Sequence, residues 1–370
     1  MTLSPHFPSV HPVSLPLRTI IGAVLCLWAG APAARAATAD SALTRIAFGS
    51  CARESDPQPI WEAIVAGRPE LFIFTGDNIY GDTADMTVMR AKYAQLAAQP
   101  GFARLRQICP ILATWDDHDF GKGDGGADFP AKRESQAAFL DFFGVPKDSP
   151  RRRQEGVYHS AVFGPAGRRV QVILLDTRYF RSPLKPAPKA PKGTPKGPKY
   201  VPNPEPGVSL LGNAQWQWLE ARLKEPAELR LLVTSIQAIS EEHGAEMWAN
   251  FPAERARLLQ LIRSTRASGV LLLSGDRHHA EISRLKADDP AGVGYTLYDI
   301  TASSLNRGPK RLPNGEVNRH RVSDLYLLNN YGVIELDWNR PDPAVNVRIH
   351  DETGKIIMHE PIALSGLRLK

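Results

Sequence analysis

Four short clusters of side chains that can bind metal ions or move protons recur along the sequence, each directly after an apolar run. They are Gly-Ser-Cys ending at Cys51, Gly-Asp-Asn-Ile-Tyr ending at Tyr80, Trp-Asp-Asp-His-Asp ending at Asp119, and Ser-Gly-Asp-Arg-His ending at His278. Carboxylate, imidazole and thiolate groups are common protein ligands of metal ions. One Gly-Asp pair is typical of an ordinary turn, whereas four such clusters together indicate a shared metal site.

The ligand chemistry of these clusters favours two different cations. Asp77 has two oxygens that can bridge two metal ions, and Gly76 before it permits a sharp backbone turn. The thiol of Cys51 and the phenol of Tyr80 ordinarily have pKa values of about 8.5 and about 10, so they bind only a strongly polarising ion. We expect a trivalent transition metal beside a hard divalent ion, a pair that can orient a hydroxide and clamp phosphoryl oxygens.

Other residues of the clusters leave alternatives open. His118 could act as a general acid on the leaving oxygen or help to bind phosphate, or it could be a loop histidine paired with carboxylates. We predict Asp117 as a metal ligand, although the sequence does not decide between it and Asp116. Cys51 could also form a disulfide with Cys109, which otherwise reads as a small core residue.

The predicted strands and helices that position these clusters indicate an α/β protein with a sheet-rich C-terminal part. Apolar runs predict buried strands at Arg45–Gly49, Leu71–Thr75, Pro110–Thr114, Val170–Leu175, Leu231–Ser235 and Val270–Ser274. Helical spacing predicts helices at Pro57–Ala66, Met86–Ala98, Ala131–Phe142, Asn213–Lys224 and Pro252–Ala267. Further strands are predicted at Tyr295–Ile300, Gly332–Asp337 and Ala344–Ile349. Because the carboxyl ends of strands in open α/β sheets form the ligand crevice, we expect the four clusters to converge.

The charge of the chain is concentrated in two segments. With 370 residues, of which 43% are hydrophobic, the chain can bury a full core, which excludes an intrinsically disordered protein. The residues before Ala37 supply two of the six net positive charges, and Pro183–Pro206, predicted as a solvated loop or an extended tether, supplies the other four. The remainder is near neutral, so no nucleic-acid-binding surface is evident.

The first 36 residues read as an export signal. Arg18 precedes an apolar run from Ile20 to Trp28, and Ala34-Arg35-Ala36 has the small-x-small pattern of a cleavage site. We expect a mature domain at residues 37–370, periplasmic or secreted, with no transmembrane segment after cleavage. The alternative is a retained N-terminal anchor.

The clusters, together with Asp-Thr-Arg at residues 176–178, resemble the alkaline phosphatase D (PhoD-like) family of calcineurin-like metallophosphoesterases, from about Arg45 to about Asp351. The resemblance implies a single-domain, four-layer α/β/β/α sandwich that hydrolyses small-molecule phosphate esters with a metal-activated hydroxide. It also implies iron (Fe³⁺) and calcium as cofactors, although other divalent metals could replace them. The positions that match the family's metal ligands are Cys51, Asp77, Tyr80, Asp276 and His278.

Two positions qualify this resemblance. Arg178 matches the family's Asp-x-Arg and could hold substrate phosphate, or it could form an ion pair with Asp176 or another carboxylate. Gly123 stands where family members commonly carry an Asn, so an oxygen ligand is lost unless Asp117, Asp124 or water replaces it. Gly123 leaves open an impaired phosphate- or metal-binding protein as an alternative. A second alternative keeps the same site but acts as a phospholipase C-like diesterase. The sequence does not determine the oligomeric state.

Overall fold

The protein is described by a computed structural model that covers residue 1 and residues 40–189, 197–308 and 316–369. Its strands are β1 (Arg45–Gly49), β2 (Leu71–Thr75), β3 (Ile111–Thr114), β4 (His159–Phe163), β5 (Val170–Leu174), β6 (Lys185–Pro186), β7 (Tyr200–Val201), β8 (Leu229–Val233), β9 (Val270–Ser274), β10 (Ala280–Leu285), β11 (Leu297–Ala302), β12 (Asn330–Asp337), β13 (Ala344–Asp351) and β14 (Ile356–Ala363). Its helices are α1 (Ile60–Ala66), α2 (Met86–Ala98), α3 (Pro100–Ile108), α4 (Asp117–Phe120), α5 (Lys132–Phe142), α6 (Gly212–Leu223) and α7 (Pro252–Ser264).

Two six-stranded sheets form the centre of the molecule. The first has the strand order β14-β13-β12-β1-β2-β3, and the second has the order β10-β11-β9-β8-β5-β4. In the first sheet β1, β2 and β3 run parallel, while β12, β13 and β14 are joined by antiparallel pairing. In the second sheet β5, β8, β9 and β11 are parallel. Each sheet therefore has a block of parallel strands whose carboxyl ends lie at one edge.

Side chains of successive strand residues face different layers. Ile46 and Phe48 of β1 belong to the core that includes both sheets, whereas Ala47 belongs to the core beneath the helices of the first sheet. This alternation follows from the two-residue period of a β-strand. On the helix side, Trp61 of α1 packs edge-on against Phe74 at 5.9 Å between ring centroids. Helices α6 and α7 contribute to the core of the second sheet, which completes four layers.

The predicted α/β class, the four layers and the sheet-rich C-terminal part are confirmed. Strands β1, β2 and β9 and helix α2 have the predicted bounds, whereas the strand predicted at Leu231–Ser235 begins and ends two residues earlier. Ser235 instead points its hydroxyl at Asp116. Helices α3 and α4 were not predicted. Helix α3 begins at Pro100, with Gln99 alone between it and the end of α2, because proline is favourable in the first turn of a helix.

The Pro/Lys-rich segment at Pro183–Pro206 has more structure than the predicted solvated loop. Strands β6 and β7 pair antiparallel in a sheet of their own, and backbone nitrogens of Lys199 and Tyr200 donate to the carbonyl of Gly244. Its described residues, 183–189 and 197–206, form neither a helix nor a central strand, as its prolines require. The predicted export signal lies outside the described residues. Among the described residues, none of the helices has the length and apolar character of a membrane span.

Candidate metal centre

The four clusters converge between the ends of the two sheets. Cys51 follows β1 and Asp77 follows β2, and the Cys51 Sγ lies 3.5 Å from the Asp77 Oδ2. Tyr80, in the loop after β2, places its Oη 3.0 Å from the Nε2 of His278, which follows β9 of the other sheet. The parallel strands position these residues because their carboxyl ends meet at the same edge.

Three groups of potential ligands share members. They are Cys51 with Asp77 and His278, Asp77 with Asp117 and His118, and Asp116 with Asp117 and Asp276. Within each group the ligand atoms lie within 4.8 Å of one another. Asp77 belongs to the first two groups, which is the arrangement that a carboxylate bridging two cations requires.

Four of the six predicted metal ligands have a left-handed backbone. The φ angles are 62° at Cys51, 49° at Asp77, 66° at Asp276 and 58° at His278. Residues other than glycine rarely adopt this region, and such strain is concentrated at functional sites. Gly76 has φ 115°, and a Cβ there would lie 2.7 Å from the Cβ of Asp116. The turn predicted beneath Asp77 therefore requires glycine.

The candidate ligand groups contain more acidic side chains than nearby cationic side chains can neutralise. Burial raises the pKa of Asp77 well above its usual range, and the nearby Cys51 and Asp117 raise it further. Burial likewise raises the pKa of Asp276 to about 7 and that of Cys51 to about 11. The Oδ1 of Asp117 is buried without a hydrogen-bond partner in the described part of the chain. An acidic set with an unpartnered buried oxygen fits bound metal ions, which would stabilise the charged forms.

Asp116 and Asp117 have different surroundings. The Oδ1 of Asp116 accepts hydrogen bonds of 2.6 Å from both Arg178 Nε and Ser235 Oγ. Asp117 accepts 2.7 Å from the backbone nitrogen of Asp124. Each aspartate retains one buried oxygen without a partner among the described residues. Because the charge of Asp116 is already paired with Arg178, Asp117 is the better candidate ligand.

Arg178 is fully buried and forms ion pairs on both sides. Its guanidinium lies 2.5 Å from Asp116 and 2.7 Å from Glu246, while its backbone nitrogen donates to the Oδ1 of Asp176 at 2.9 Å. The ion-pair alternative for Arg178 is therefore present, with Asp116 and Glu246 rather than the Asp176 side chain. A direct role in holding phosphate stays a prediction.

His118 lies at the exposed side of the ligand groups. Its Nδ1 is 2.7 Å from the Oδ1 of Asp82, and its ring centroid is 4.2 Å from that of Tyr80. Burial would lower the pKa of His118, but the hydrogen bond with Asp82 and the charge of Asp117 raise it to about 9. A protonated histidine at this place suits proton donation to a leaving oxygen.

The disulfide considered for the two cysteines is wrong. Cys51 and Cys109 are both free and buried. Cys51 Sγ lies 3.2 Å from the Oγ of Ser303, beside the ligand groups. Cys109 belongs to the core beneath the helices of the first sheet, where its Sγ approaches the carbonyl of Leu105. The two thiols therefore lie in different environments, one beside the ligand groups and one in the core.

Gly123 leaves open space next to a candidate ligand. A Cβ at this position would meet only the Oδ2 of Asp117, at 3.9 Å. The carboxylate of Asp124 accepts a 2.6 Å hydrogen bond from Tyr200 and pairs with Lys199. It is therefore engaged with the β7 segment and does not replace the missing Asn as a free ligand.

Several residues at the site were not anticipated from the sequence. Ser303 contacts Cys51 and accepts a 3.0 Å hydrogen bond from the backbone of His278. Its signal was available, because Ser303 follows strand β11 as the other clusters follow theirs. Asp82 lies in the loop of the second cluster, but nothing in the sequence identified it as the partner of His118. Glu246, which pairs with Arg178, has no local sequence signal.

Comparison with known proteins identifies the family. The sequence profile of the PhoD-like phosphatases matches residues 46–340. The chain belongs to the PhoD-like phosphatase family. Alkaline phosphatase D of Bacillus subtilis (strain 168) is 25% identical over 217 residues, which cover 54% of this chain and 36% of that protein. This PhoD-like chain therefore aligns with only about a third of the length of its curated relative.

A solved structure of PhoD has the same fold. It superimposes with a TM-score of 0.64 at 18% sequence identity, covering 90% of this chain and 75% of that chain. The sequence resemblance to the PhoD-like family is thus confirmed at the level of family and fold.

Proposed function

We propose that this PhoD-like chain is an exported, metal-dependent phosphoesterase that hydrolyses phosphate mono- or diesters. The observation that carries the proposal is that Asp77 belongs to two overlapping groups of potential ligands, one with Cys51 and His278 and the other with Asp117, while His118 lies beside the second group as a proton donor. Export rests on the predicted signal at residues 1–36. Periplasmic or secreted location follows from the same prediction.

The candidate ligands sort by their chemistry. The thiol of Cys51, the phenol of Tyr80 and the imidazole of His278 suit a transition metal such as ferric iron, whereas Asp117 and Asp276 offer oxygens to a hard ion such as calcium. Asp77 lies between the two sets. Bound cations would supply Lewis-acid polarisation of phosphoryl oxygens and an acidified water.

The chain's own residues supply the remaining functions. Asp82 orients the imidazole of His118 through the 2.7 Å contact, and His118 delivers a proton to the leaving oxygen. Ser303 holds the Cys51 thiol and the His278 backbone in one geometry. Arg178 fixes the carboxylate of Asp116 beneath the site.

The test is hydrolysis after reconstitution. The purified mature protein is loaded with iron and calcium and assayed with p-nitrophenyl phosphate and bis-p-nitrophenyl phosphate. We expect turnover of at least one ester, lost in the Asp77→Asn variant, and the ratio of the two rates separates a monoesterase from a diesterase. Absence of turnover on both esters, with both metals verifiably bound, would contradict the proposal.

One observation favours a second candidate, an impaired metal- or phosphate-binding protein. Gly123 supplies no side-chain oxygen, and Asp124 is engaged with Lys199 and Tyr200. The second candidate predicts that inorganic phosphate binds to the metal-loaded protein, measured by calorimetry, while neither ester is hydrolysed.

A further inference from the structure

Two arginines lie close to the ring of Tyr80 at the candidate centre. The guanidinium carbons of Arg53 and Arg307 each lie 5.8 Å from the centroid of that ring. The two guanidinium groups are therefore at most twice that distance apart. Arg53 is half-buried and Arg307 is exposed, so both can meet a molecule that enters from solvent.

The backbone segments that carry these arginines are tied to each other. The backbone nitrogen of Arg53 donates to the Oδ1 of Asn306 at 2.7 Å, and the Nδ2 of Asn306 donates to the carbonyl of Arg53 at 2.9 Å. The backbone nitrogen of Asn306 also donates to the carbonyl of Cys51 at 3.3 Å. Asn306 thus fixes both arginine segments relative to a candidate metal ligand, which limits the ordering needed on binding.

Neither guanidinium forms an ion pair with any residue in the described ranges. Two acidic residues next to Arg53 or Tyr80 in the sequence, Glu54 and Asp82, have other partners. Glu54 pairs with Lys92 at 2.6 Å and accepts from the backbone of Tyr80 at 2.8 Å, and Asp82 pairs with His118. Two like charges held near one ring repel each other, and an anion bound between them removes that repulsion.

We propose that Arg53 and Arg307 form a subsite for a second anionic group of the substrate. The proposal rests on the proposed phosphoesterase function and narrows its substrate to a phosphate ester that carries a further carboxylate or phosphate. The hydroxyl end of Tyr80 faces His278, whereas the guanidinium groups approach the ring. If the scissile phosphoryl group lies against the candidate ligands, the part of the substrate that extends past the Tyr80 ring would meet these guanidinium groups. A guanidinium matches carboxylate and phosphate oxygens with two parallel donors.

The experiment compares two substrates that differ by one anionic group, phenyl phosphate and 4-carboxyphenyl phosphate. We expect the metal-loaded protein to have a KM about tenfold lower for the carboxylated ester, the size of one charge-assisted hydrogen bond. The double variant Arg53→Gln with Arg307→Gln should bring the ratio of the two KM values to about one. The double variant Arg53→Lys with Arg307→Lys should restore part of the difference between the two KM values. Arg168→Gln, at an exposed arginine on the β4–β5 turn, leaves the ratio as in the unmodified protein.

A ratio of one in the unmodified protein, or an equal rise of both KM values in the double variant, overturns the subsite. The latter result would place the arginines on the scissile phosphoryl group. Calorimetry with phenylphosphonate and 4-carboxyphenylphosphonate makes the same comparison without hydrolysis. Absence of turnover would contradict the phosphoesterase proposal. Equal affinity for the two phosphonates would contradict the subsite.

Discussion

Tyr80 and His278 follow strands of different sheets, and the Tyr80 Oη lies 3.0 Å from the His278 Nε2. This contact joins the two halves of the sandwich at the point where the candidate ligands meet. Burial raises the pKa of Tyr80 well above its usual range, and the nearby Cys51 and Asp77 raise it further. A strongly polarising cation is therefore needed for the phenol to bind as phenolate.

The first prediction concerns the absorption of the iron-loaded protein. Phenolate and thiolate ligation of ferric iron should give a visible charge-transfer band, and Tyr80→Phe should remove the phenolate part of it. Tyr331→Phe is the matched control, because Tyr331 is also buried but lies on β12, stacked on His350. An unchanged spectrum in Tyr80→Phe, with iron still bound, would exclude Tyr80 as a ligand.

The second prediction concerns the position of the missing Asn. Gly123→Asn should fold normally, because only the Oδ2 of Asp117 lies within 4 Å of the added Cβ, at 3.9 Å. The new amide oxygen should tighten binding of the divalent ion by about tenfold, a typical effect of one group at the edge of a metal site. The measurement is competition with a fluorescent chelator.

The control for this substitution is Gly366→Asn, where an added Cβ meets nothing within 4 Å. If the affinity for the divalent ion is the same in both variants as in the unmodified protein, water or another protein group already supplies the ligand that the missing Asn would provide. A simultaneous rise in hydrolysis would favour the impaired-protein candidate for the unmodified chain.

The third prediction concerns the contact between the Pro/Lys-rich segment and the loop of Asp124. Tyr200→Phe removes the 2.6 Å hydrogen bond to Asp124, and Lys199→Met removes its ion pair. Because the backbone of Asp124 holds the Oδ2 of Asp117, the double variant should bind the divalent ion several-fold more weakly. The melting temperature should change little, since partly exposed pairs contribute about 1 kcal/mol or less.

Lys185→Met is the control for this pair. Lys185 lies on β6 of the same small sheet and is exposed. Equal metal affinity in the control and the double variant would show that the Pro/Lys-rich segment does not support metal binding.

The fourth prediction distinguishes the two interpretations of Arg178. Arg178→Ala leaves the buried Asp116 without its cation and leaves the buried Glu246 with Arg181 alone. It should lower the free energy of unfolding by about 3–5 kcal/mol, measured by urea denaturation. Arg168→Ala, at an exposed arginine, should change it by less than about 0.5 kcal/mol. An unchanged stability with a raised KM would instead assign Arg178 to the substrate.

The sequence indicated which candidate ligands lie together better than it indicated the residues that support them. Cys51, Asp77 and His278 could be found because each follows an apolar strand, and the parallel order of strands brings strand ends together. The pairing of Arg178 with Glu246 joins residues 68 positions apart, and the spacing of residues carries no information about such contacts. The choice between Asp116 and Asp117 likewise depended on which one Arg178 reaches.

The Pro/Lys-rich segment shows why part of the fold could not be predicted. Its prolines excluded a helix and a central strand, and the described residues of the segment contain neither. They did not reveal that Tyr200 and Lys199 reach Asp124, because that contact depends on where the loop after α4 lies in space. Helix α4 itself has four residues, too few for a periodic pattern.

The most direct test of the central claim is the metal content of the purified protein, measured together with phosphate release before and after chelation. We predict about two metal ions per chain, one of them a transition metal, with hydrolysis lost on chelation and restored when the ions return. Undiminished hydrolysis by protein shown to contain no metal would contradict a metal-dependent phosphoesterase built on Asp77.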